Sequence, residues 1–245
     1  MTAVGVIPAR YAAARFPGKI LVPIAGLPMV RRVWEGASGA KSLRAVIVAT
    51  DDQRIADVCR SFGAPVVMTS PDHPTGTDRL AEVALGLDDE LIVNIQGDEP
   101  LIQGFVIDAA VEALRDDPDA PMSTVVHRAD PDALDDPNRV KVVIDRRGNA
   151  LYFSRRCIPA RRSDTHEPSY WQHVGIYAYR RAFLLEFIGL EPTPLERSEE
   201  LEQLRALEHG YRIRCATVAG WSAISVDVPD DVARVEARLR EKGSC

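Results

Sequence analysis

Four short apolar segments in the first hundred residues are each followed by a stretch with helical spacing, and that alternation leaves few folds open. Ala3–Ile7, Ala45–Ala49, Pro65–Met68 and Leu91–Ile95 are short apolar runs, interrupted only by Asn94, without polar alternation. After the first, Met29, Val30, Val33, Trp34 and Ala37 recur three and four residues apart; after the second, Ile55, Ala56, Val58, Cys59 and Phe62 do the same. Leu80, Val83, Ala84 and Leu87 follow the third run, and Val106, Ala109, Ala110, Ala113 and Leu114 follow the fourth. A strand buried on both faces reads as an unbroken apolar run, and helices between such strands cover those faces. The expectation is an α/β fold built on a mostly parallel, doubly wound, Rossmann-like sheet.

The second half has a different rhythm. Val140–Ile144, a turn over Arg146-Arg147-Gly148-Asn149 and Ala150–Ser154 read as an antiparallel hairpin. Val174–Tyr179, Ile213–Val218 and Ile224–Val226 read as strands, Glu199–His209 as a helix closed by Gly210, and Pro229 opens a last helix through Arg240. This predicts a smaller mixed, β-rich lobe. Asp116–Asn138 is rich in Asp and Pro, so its ends read as loops and its charge as a solvated face.

With 245 residues, 46% of them hydrophobic, the chain can bury a sizeable core. Its net charge of −6 argues against a nucleic-acid partner. Arg outnumbers Lys 26 to 4, a bias that points to a GC-rich genome. Cys59, Cys157, Cys215 and Cys245 form no C-x-x-C pair, which suits reduced thiols rather than a zinc or redox motif. No secretory signal and no membrane-length apolar run is evident, so a cytoplasmic protein with no membrane partner is expected.

The chemistry-bearing residues gather where the strands end. In open α/β sheets ligands bind at the C-terminal ends of strands. There the first strand runs into Pro8-Ala9-Arg10 and Arg15-Phe16-Pro17-Gly18-Lys19, placing three cations within ten residues. Neither a Walker loop nor a dinucleotide fingerprint is present. The cluster reads as a polyphosphate grip, with a plain basic surface loop as the alternative. Asp98 follows the fourth apolar strand and Asp227 follows Ile224–Val226. A lone Asp in such a place is commonly a helix cap. Two of them can hold Mg²⁺ while water and phosphate oxygens complete its octahedron. Thr75-Gly76-Thr77-Asp78-Arg79 opens a helix and suits either phosphate or base contacts or ordinary capping.

Taken in order, these motifs resemble a known family. Pro8-Ala9-Arg10, Arg15-x-Pro-Gly-Lys19, Ala49-Thr50-Asp51, Thr75-Gly-Thr-Asp-Arg79 and Gln96-Gly-Asp-Glu-Pro100 come first. Val140-Lys-Val-Val143, Leu151-Tyr-Phe-Ser-Arg155, His173-Val-Gly-Ile-Tyr177, Glu199-x-x-Glu202-Gln-Leu-Arg205 and Val226-Asp227-x-Pro229 follow. The whole chain is similar to the 3-deoxy-manno-octulosonate (KDO) cytidylyltransferases, also called CMP-KDO synthetases. The resemblance implies a single nucleotidyltransferase domain over 1–245. A nucleotide-binding half would span about 1–130, an acceptor-binding and dimerisation lobe about 131–220, and a metal-ligand strand with the last helix 221–245. It implies Mg²⁺-dependent transfer of a cytidylyl group from CTP to a small anionic acceptor, by a homodimer.

By that resemblance, Arg10 and Lys19 with Asp98 and Asp227 would be catalytic, and the two aspartates the metal ligands. Ala9, Arg10, Arg15, Lys19, Thr75, Gly76, Arg79 and Asp98 would bind nucleotide. Gln96, Arg155, His173, Tyr177, Glu199 and Glu202 would line the acceptor pocket. Arg155 suits an acceptor carboxylate or phosphonate because guanidinium binds such groups bidentately. His173 could face a cleft or pack as a core histidine. Glu199 and Glu202, three residues apart, would share one helix side that is either an acceptor surface or a solvated face. Departures from the family pattern are Ala13-Ala14 for Ser-Thr, Arg156-Cys157 and Arg161-Arg162 after Arg155, and Ser225 and Val228 for Gly and Thr around Asp227. They leave the catalytic frame and bear on the acceptor: KDO, or a small phosphonate such as phosphonoformate. A non-catalytic nucleotide-binding regulator would require a broken metal site, and Lys19, Asp98 and Asp227 all stand.

Overall fold

A computed structural model describes residues 1–12, 16–163 and 168–241. The chain forms two compact units, one of Met1–Asp108 with Ala223–Cys245 and one of Ala109–Ser222. In chain order the first holds β1 (Ala3–Ala9), a 3-10 turn (Lys19–Leu21), β2 (Pro23–Ile24), β3 (Leu27–Pro28), α1 (Met29–Ser38) and β4 (Val46–Thr50). Then come α2 (Gln53–Ser61), β5 (Val66–Met68), α3 (Gly76–Leu85), β6 (Leu91–Asn94) and α4 (Gly104–Asp116), which runs into the second unit.

The strand order β6-β1-β4-β5 is parallel throughout, as the unbroken apolar runs required. Val6 sits opposite Ile47 on one side and Asn94 on the other, and β1, β4 and β6 are buried almost along their whole length. Met29, Val30, Val33 and Ala37 give α1 its buried stripe. Because the strands are parallel, Ala9 and Asn94 end on the same sheet edge, and the segments carrying Lys19 and Asp98 both leave from there.

The second unit contains β7 (Met122–Arg128), a 3-10 turn (Pro131–Ala133), β8 (Lys141–Ile144), β9 (Ala150–Ser154), β10 (Trp171–Arg180), α5 (Arg181–Phe187), α6 (Pro194–Glu199), α7 (Gln203–Glu208) and β11 (Ile213–Val218). β7 pairs parallel with β11 and antiparallel with β10; β10 pairs antiparallel with β8, and β8 with β9. The hairpin expected over 140–154 is present. Its turn is held by the Asp145 carboxylate, which accepts from the backbone N–H of Arg147 and Asn149 at 2.8 Å each. The last helix, α8 (Pro229–Glu241), belongs to the first unit, where Glu236 accepts from the backbone N–H of Ala25 at 2.8 Å.

Two expectations are corrected and a third is filled in: the ends of Asp116–Asn138 are irregular as read, and its interior, on which the sequence was silent, is the buried strand β7. Its Ser123 and Thr124 interrupt the apolar pattern, and both are satisfied internally, by Ala110 O at 2.6 Å and Ile176 O at 2.8 Å. The single helix Glu199–His209 is two short helices, α6 and α7, broken where Glu200 takes a left-handed conformation at φ 51°. Leu201 and Leu204 are buried just past the break, so core packing turns the chain there. Ile224–Val226 is irregular rather than a strand: the Val226 N–H donates to Asp98 O at 2.9 Å. Cys59, Cys157 and Cys215 are free thiols, and Cys245 lies outside the described residues.

Candidate active site

The first unit carries a cleft of about 380 Å³ at the C-terminal edge of its parallel sheet. It is lined by Ala9, Arg10, Lys19, Thr75, Gly76, Arg79, Gln96, Asp98 and Asp227 among the residues singled out from sequence, together with Pro8, Phe16, Ile20, His73 and Gly97. Of the expected nucleotide residues only Arg15 is not placed, because it lies outside the described residues.

Lys19 is the centre of the charge arrangement. Its Nζ donates to Asp98 Oδ2 at 2.7 Å, to Val226 O at 3.0 Å and to Asp227 Oδ1 at 3.3 Å. Burial pulls the lysine pKa down, but the charges and hydrogen bonds of Asp98 and Asp227 outweigh it and hold it above the ordinary value. The ammonium is therefore fixed as a cation. The backbone supports this placement: Gly18, at φ +73°, donates its N–H to Tyr11 O at 2.8 Å, and a Cβ there would lie 3.0 Å from the Tyr11 ring. Tyr11 is itself covered by the Arg54 guanidinium, 3.4 Å above its ring centre.

The two carboxylates come from distant segments joined behind them. Besides the Val226–Asp98 backbone bond, Ser225 Oγ donates to the Glu99 carboxyl. Burial pushes Glu99 up to about 8, so it is neutral near pH 7 and adds no charge beside Asp98. Asp227 N–H and Val228 N–H both donate to Asp231 Oδ2, at 2.9 and 3.0 Å, which sets the start of α8. Gly97 permits the floor of the cleft: a Cβ there would stand 2.7 Å from Ile20 Cδ1 and 3.3 Å from Pro8 O.

On the opposite lining, Thr75 is an N-cap. Its Oγ1 accepts from Thr77 N and Asp78 N at 3.2 Å each, and the Asp78 carboxylate accepts from Thr75 N at 3.1 Å. Arg79 is buried and pairs with Asp51 at 3.2 Å and with Thr69 Oγ1. Thr75 and Arg79 thus line the cleft while also building its wall.

The remaining expected acceptor residues lie in the second unit. Arg155 Nε, Nη2 and Nη1 donate to Glu199 O, Glu200 O and Pro137 O at 2.7, 3.2 and 3.0 Å. The Glu199 carboxylate accepts from Ser154 Oγ at 2.7 Å, Arg155 N at 3.0 Å and Tyr152 OH at 3.4 Å. Burial acts to raise its pKa, but these donors hold it below the ordinary value. The His173 ring lies 5.1 Å from Phe153 and 5.3 Å from Tyr177. Its Nε2 is 2.9 Å from Thr124 Oγ1. That hydroxyl also lies 2.8 Å from Ile176 O and 3.1 Å from Val174 O, so its one proton is shared among the ring and two carbonyls. Burial lowers the imidazole to about 3. Tyr177 is raised well above the ordinary phenol value, first by burial and then by Tyr179 and Glu202. Glu199 and Glu202 do not share a helix side as expected: one ends α6 and the other precedes α7.

A family described as cytidylyltransferase matches residues 4–213. A 3-deoxy-manno-octulosonate cytidylyltransferase of Syntrophotalea carbinolica is 52% identical over 249 residues, covering 98% of this chain and 99% of its own. The chain belongs to the 3-deoxy-manno-octulosonate cytidylyltransferase family. The mitochondrial 3-deoxy-manno-octulosonate cytidylyltransferase of Arabidopsis thaliana is 48% identical over 98% of this chain and 83% of its own. The solved structure of a CMP:2-keto-3-deoxy-manno-octonic acid synthetase complexed with CTP is 40% identical, with a TM-score of 0.93 over 99% of this chain and all of that one. This family member is thus an enzyme, a nucleotidyltransferase, with the α/β fold read from its sequence. Among its described residues no helix is long and apolar enough to cross a membrane.

Within this cytidylyltransferase, five cleft residues carry no role assigned from the sequence. Pro8, Phe16 and Gly97 stand inside the motifs without a role of their own, and Ile20 and His73 lie outside them. His73, whose Nε2 meets the Glu82 carboxylate, sits in Pro71-Asp72-His73-Pro74, which reads as a loop without chemistry. The adjacency of His73 to the Thr75 capping box was the available signal.

Proposed function

We propose that this chain transfers the cytidylyl group of CTP to KDO, releasing pyrophosphate, with Mg²⁺ as cofactor. The observation that carries the reading is the convergence of Asp98 and Asp227 on one half-buried ammonium, Lys19, beside Arg10 in one cleft. The relatives' names supply the acceptor.

The donor set fits a hard divalent cation. Asp98 Oδ2 and Asp227 Oδ1 converge on the Lys19 ammonium, and a cation held by these two carboxylates would take its place while Lys19 turns to the phosphates. Mg²⁺ is held in this way, by one or two carboxylates plus water and phosphate oxygens. Bound there, it would neutralise charge on the phosphates. Arg10 and Lys19 bind the triphosphate and meet the charge that grows on its oxygens as the leaving bond lengthens. The acceptor hydroxyl oxygen bonds to the α-phosphorus, the bond from α-phosphorus to the pyrophosphate oxygen breaks with its electron pair, and the hydroxyl proton leaves to solvent. Lys19 is suited to this because Asp98 and Asp227 outweigh its burial and hold its pKa above the ordinary lysine value.

The test is pyrophosphate release with CTP and Mg²⁺ against KDO, phosphonoformate and no acceptor. Release that needs KDO supports the reading. Release with phosphonoformate alone, or with none, contradicts the acceptor assignment. Silence in all arms despite CTP binding contradicts turnover itself.

A further inference from the structure

Arg155 and Glu199 were expected to meet the acceptor, yet their polar atoms are directed at the protein's own backbone and at each other. Nε and Nη2 of Arg155 serve two successive carbonyls, Glu199 O and Glu200 O, at the end of α6. Those are among the carbonyls a helix terminus leaves without partners, and an arginine is a known way to satisfy them. A bidentate carboxylate on that edge would have to displace them. The Glu199 carboxylate is likewise filled by Ser154, Tyr152 and the Arg155 N–H.

Lys141 completes the cluster. It is fully buried on β8, and its Nζ donates to Arg155 O at 2.7 Å and Asp136 O at 2.9 Å. Burying an ammonium is costly, and two carbonyls compensate it only in part. A methionine of similar length would fill the space without that cost, so what the ammonium adds here is its two carbonyl bonds, which tie the 136–137 loop to the end of β9. The lysine, the 136–137 loop, the end of β9 and the α6–α7 junction form one connected set. At that junction Glu200 holds φ 51° and ψ 48°, and Glu202 stands two residues on, immediately before α7.

We propose that Lys141 and Arg155 are positioning residues: with Glu199 they lock the turn between α6 and α7 and so place Glu202, and neither binds the anionic group of the acceptor. The proposal rests on the KDO reading above and deepens it.

Two variants, Arg155→Met and Lys141→Met, test it against wild type. The first measurement is hydrogen exchange at Leu201, Leu204 and Arg205, whose N–H groups bond to Glu196 O, Leu201 O and Glu202 O. Loss of one charge-assisted bond predicts exchange about tenfold faster or more in both variants. Unchanged exchange overturns the proposal, and this arm holds even if KDO is not the acceptor. The second measurement compares KDO with its carboxamide as competing ligands. Positioning predicts that both variants raise KM for KDO about tenfold, leave KM for CTP within about twofold, and keep the wild-type preference for carboxylate over amide. If Arg155→Met erases that preference, Arg155 is a carboxylate ligand and the proposal fails. If Arg155→Met does not fold, Lys141→Met carries both comparisons, and a lowered melting temperature with KM for KDO unchanged overturns the positioning role. No turnover of KDO by wild type defeats the functional reading instead.

Discussion

Replacing Lys19 by Met should make the nucleotide-free protein respond more strongly to Mg²⁺ while nearly abolishing turnover. Lys19 Nζ is 2.7 Å from Asp98 Oδ2 and 3.3 Å from Asp227 Oδ1, so these oxygens lie within about 6 Å of each other. Without the ammonium two like charges face each other. At an effective dielectric of about 20 the repulsion is about 3 kcal/mol, and full water screening would reduce it to about 0.7 kcal/mol. The Asp98 and Asp227 side chains are 27% and 35% exposed, which places the value between these limits, at about 1 to 2 kcal/mol. A divalent cation would relieve that repulsion without having to displace a lysine. Its affinity for the variant should rise by about five- to thirtyfold, since 1.4 kcal/mol is a factor of ten. The assay is thermal unfolding across a MgCl₂ series without nucleotide, with NaCl at matched ionic strength as control. Stabilisation by a ligand follows its concentration relative to its Kd, so the variant's melting curve should move up at lower Mg²⁺ than wild type's. In steady-state assays kcat should fall on the order of a hundredfold or more, as loss of a transition-state cation does. Equal Mg²⁺ responses in the two proteins, or undiminished kcat, would refute the arrangement described.

Asp98→Asn and Asp227→Asn should each reduce turnover below detection with circular dichroism unchanged, and activity retained by either variant removes that residue from the proposed metal site. Gly97→Ala should cost about 1 to 3 kcal/mol by overpacking and raise KM for CTP, because its Cβ would meet Ile20 Cδ1 at 2.7 Å; denaturant unfolding and initial rates check both. His173 titrates at about 3 in the fold against an ordinary 6.5. Between those values the unfolded chain binds a proton that the folded chain does not, so stability falls as pH drops through this window. His173→Gln should flatten the loss between pH 7 and 5 by about 1 to 2 kcal/mol, and an unchanged pH profile of unfolding would show that the ring is already accessible to protons.

The parallel half of the fold was legible because β1, β4 and β6 are buried on both faces and carry a polar residue only at a strand end, Thr50 in β4 and Asn94 in β6. β7 was not, because Ser123, Thr124 and His127 sit in it as buried polar groups whose partners are distant in sequence. The charged centre of the cleft was readable since the segments carrying Lys19 and Asp98 follow apolar strands and Asp227 stands just before the helix that Pro229 opens, although no strand runs up to it. What the sequence did not disclose is that the lysine bridges the two aspartates. The acceptor residues were harder. Glu199 and Glu202 have helical spacing, but the left-handed Glu200 between them is set by burial of Leu201 and Leu204, a tertiary effect. Arg155 has the chemistry to bind an anion, and only its carbonyl partners, contributed by residues 137, 199 and 200, show where that capacity goes.

The central claim is cytidylyl transfer from CTP to KDO, and a single phosphorus-31 NMR time course of CTP, KDO and Mg²⁺ with the enzyme tests it most directly. The account predicts that the triphosphate signals disappear while one phosphodiester and one pyrophosphate appear in equal amounts, only when KDO is present. Appearance of CDP with orthophosphate, of free CMP, or of pyrophosphate without KDO would contradict it.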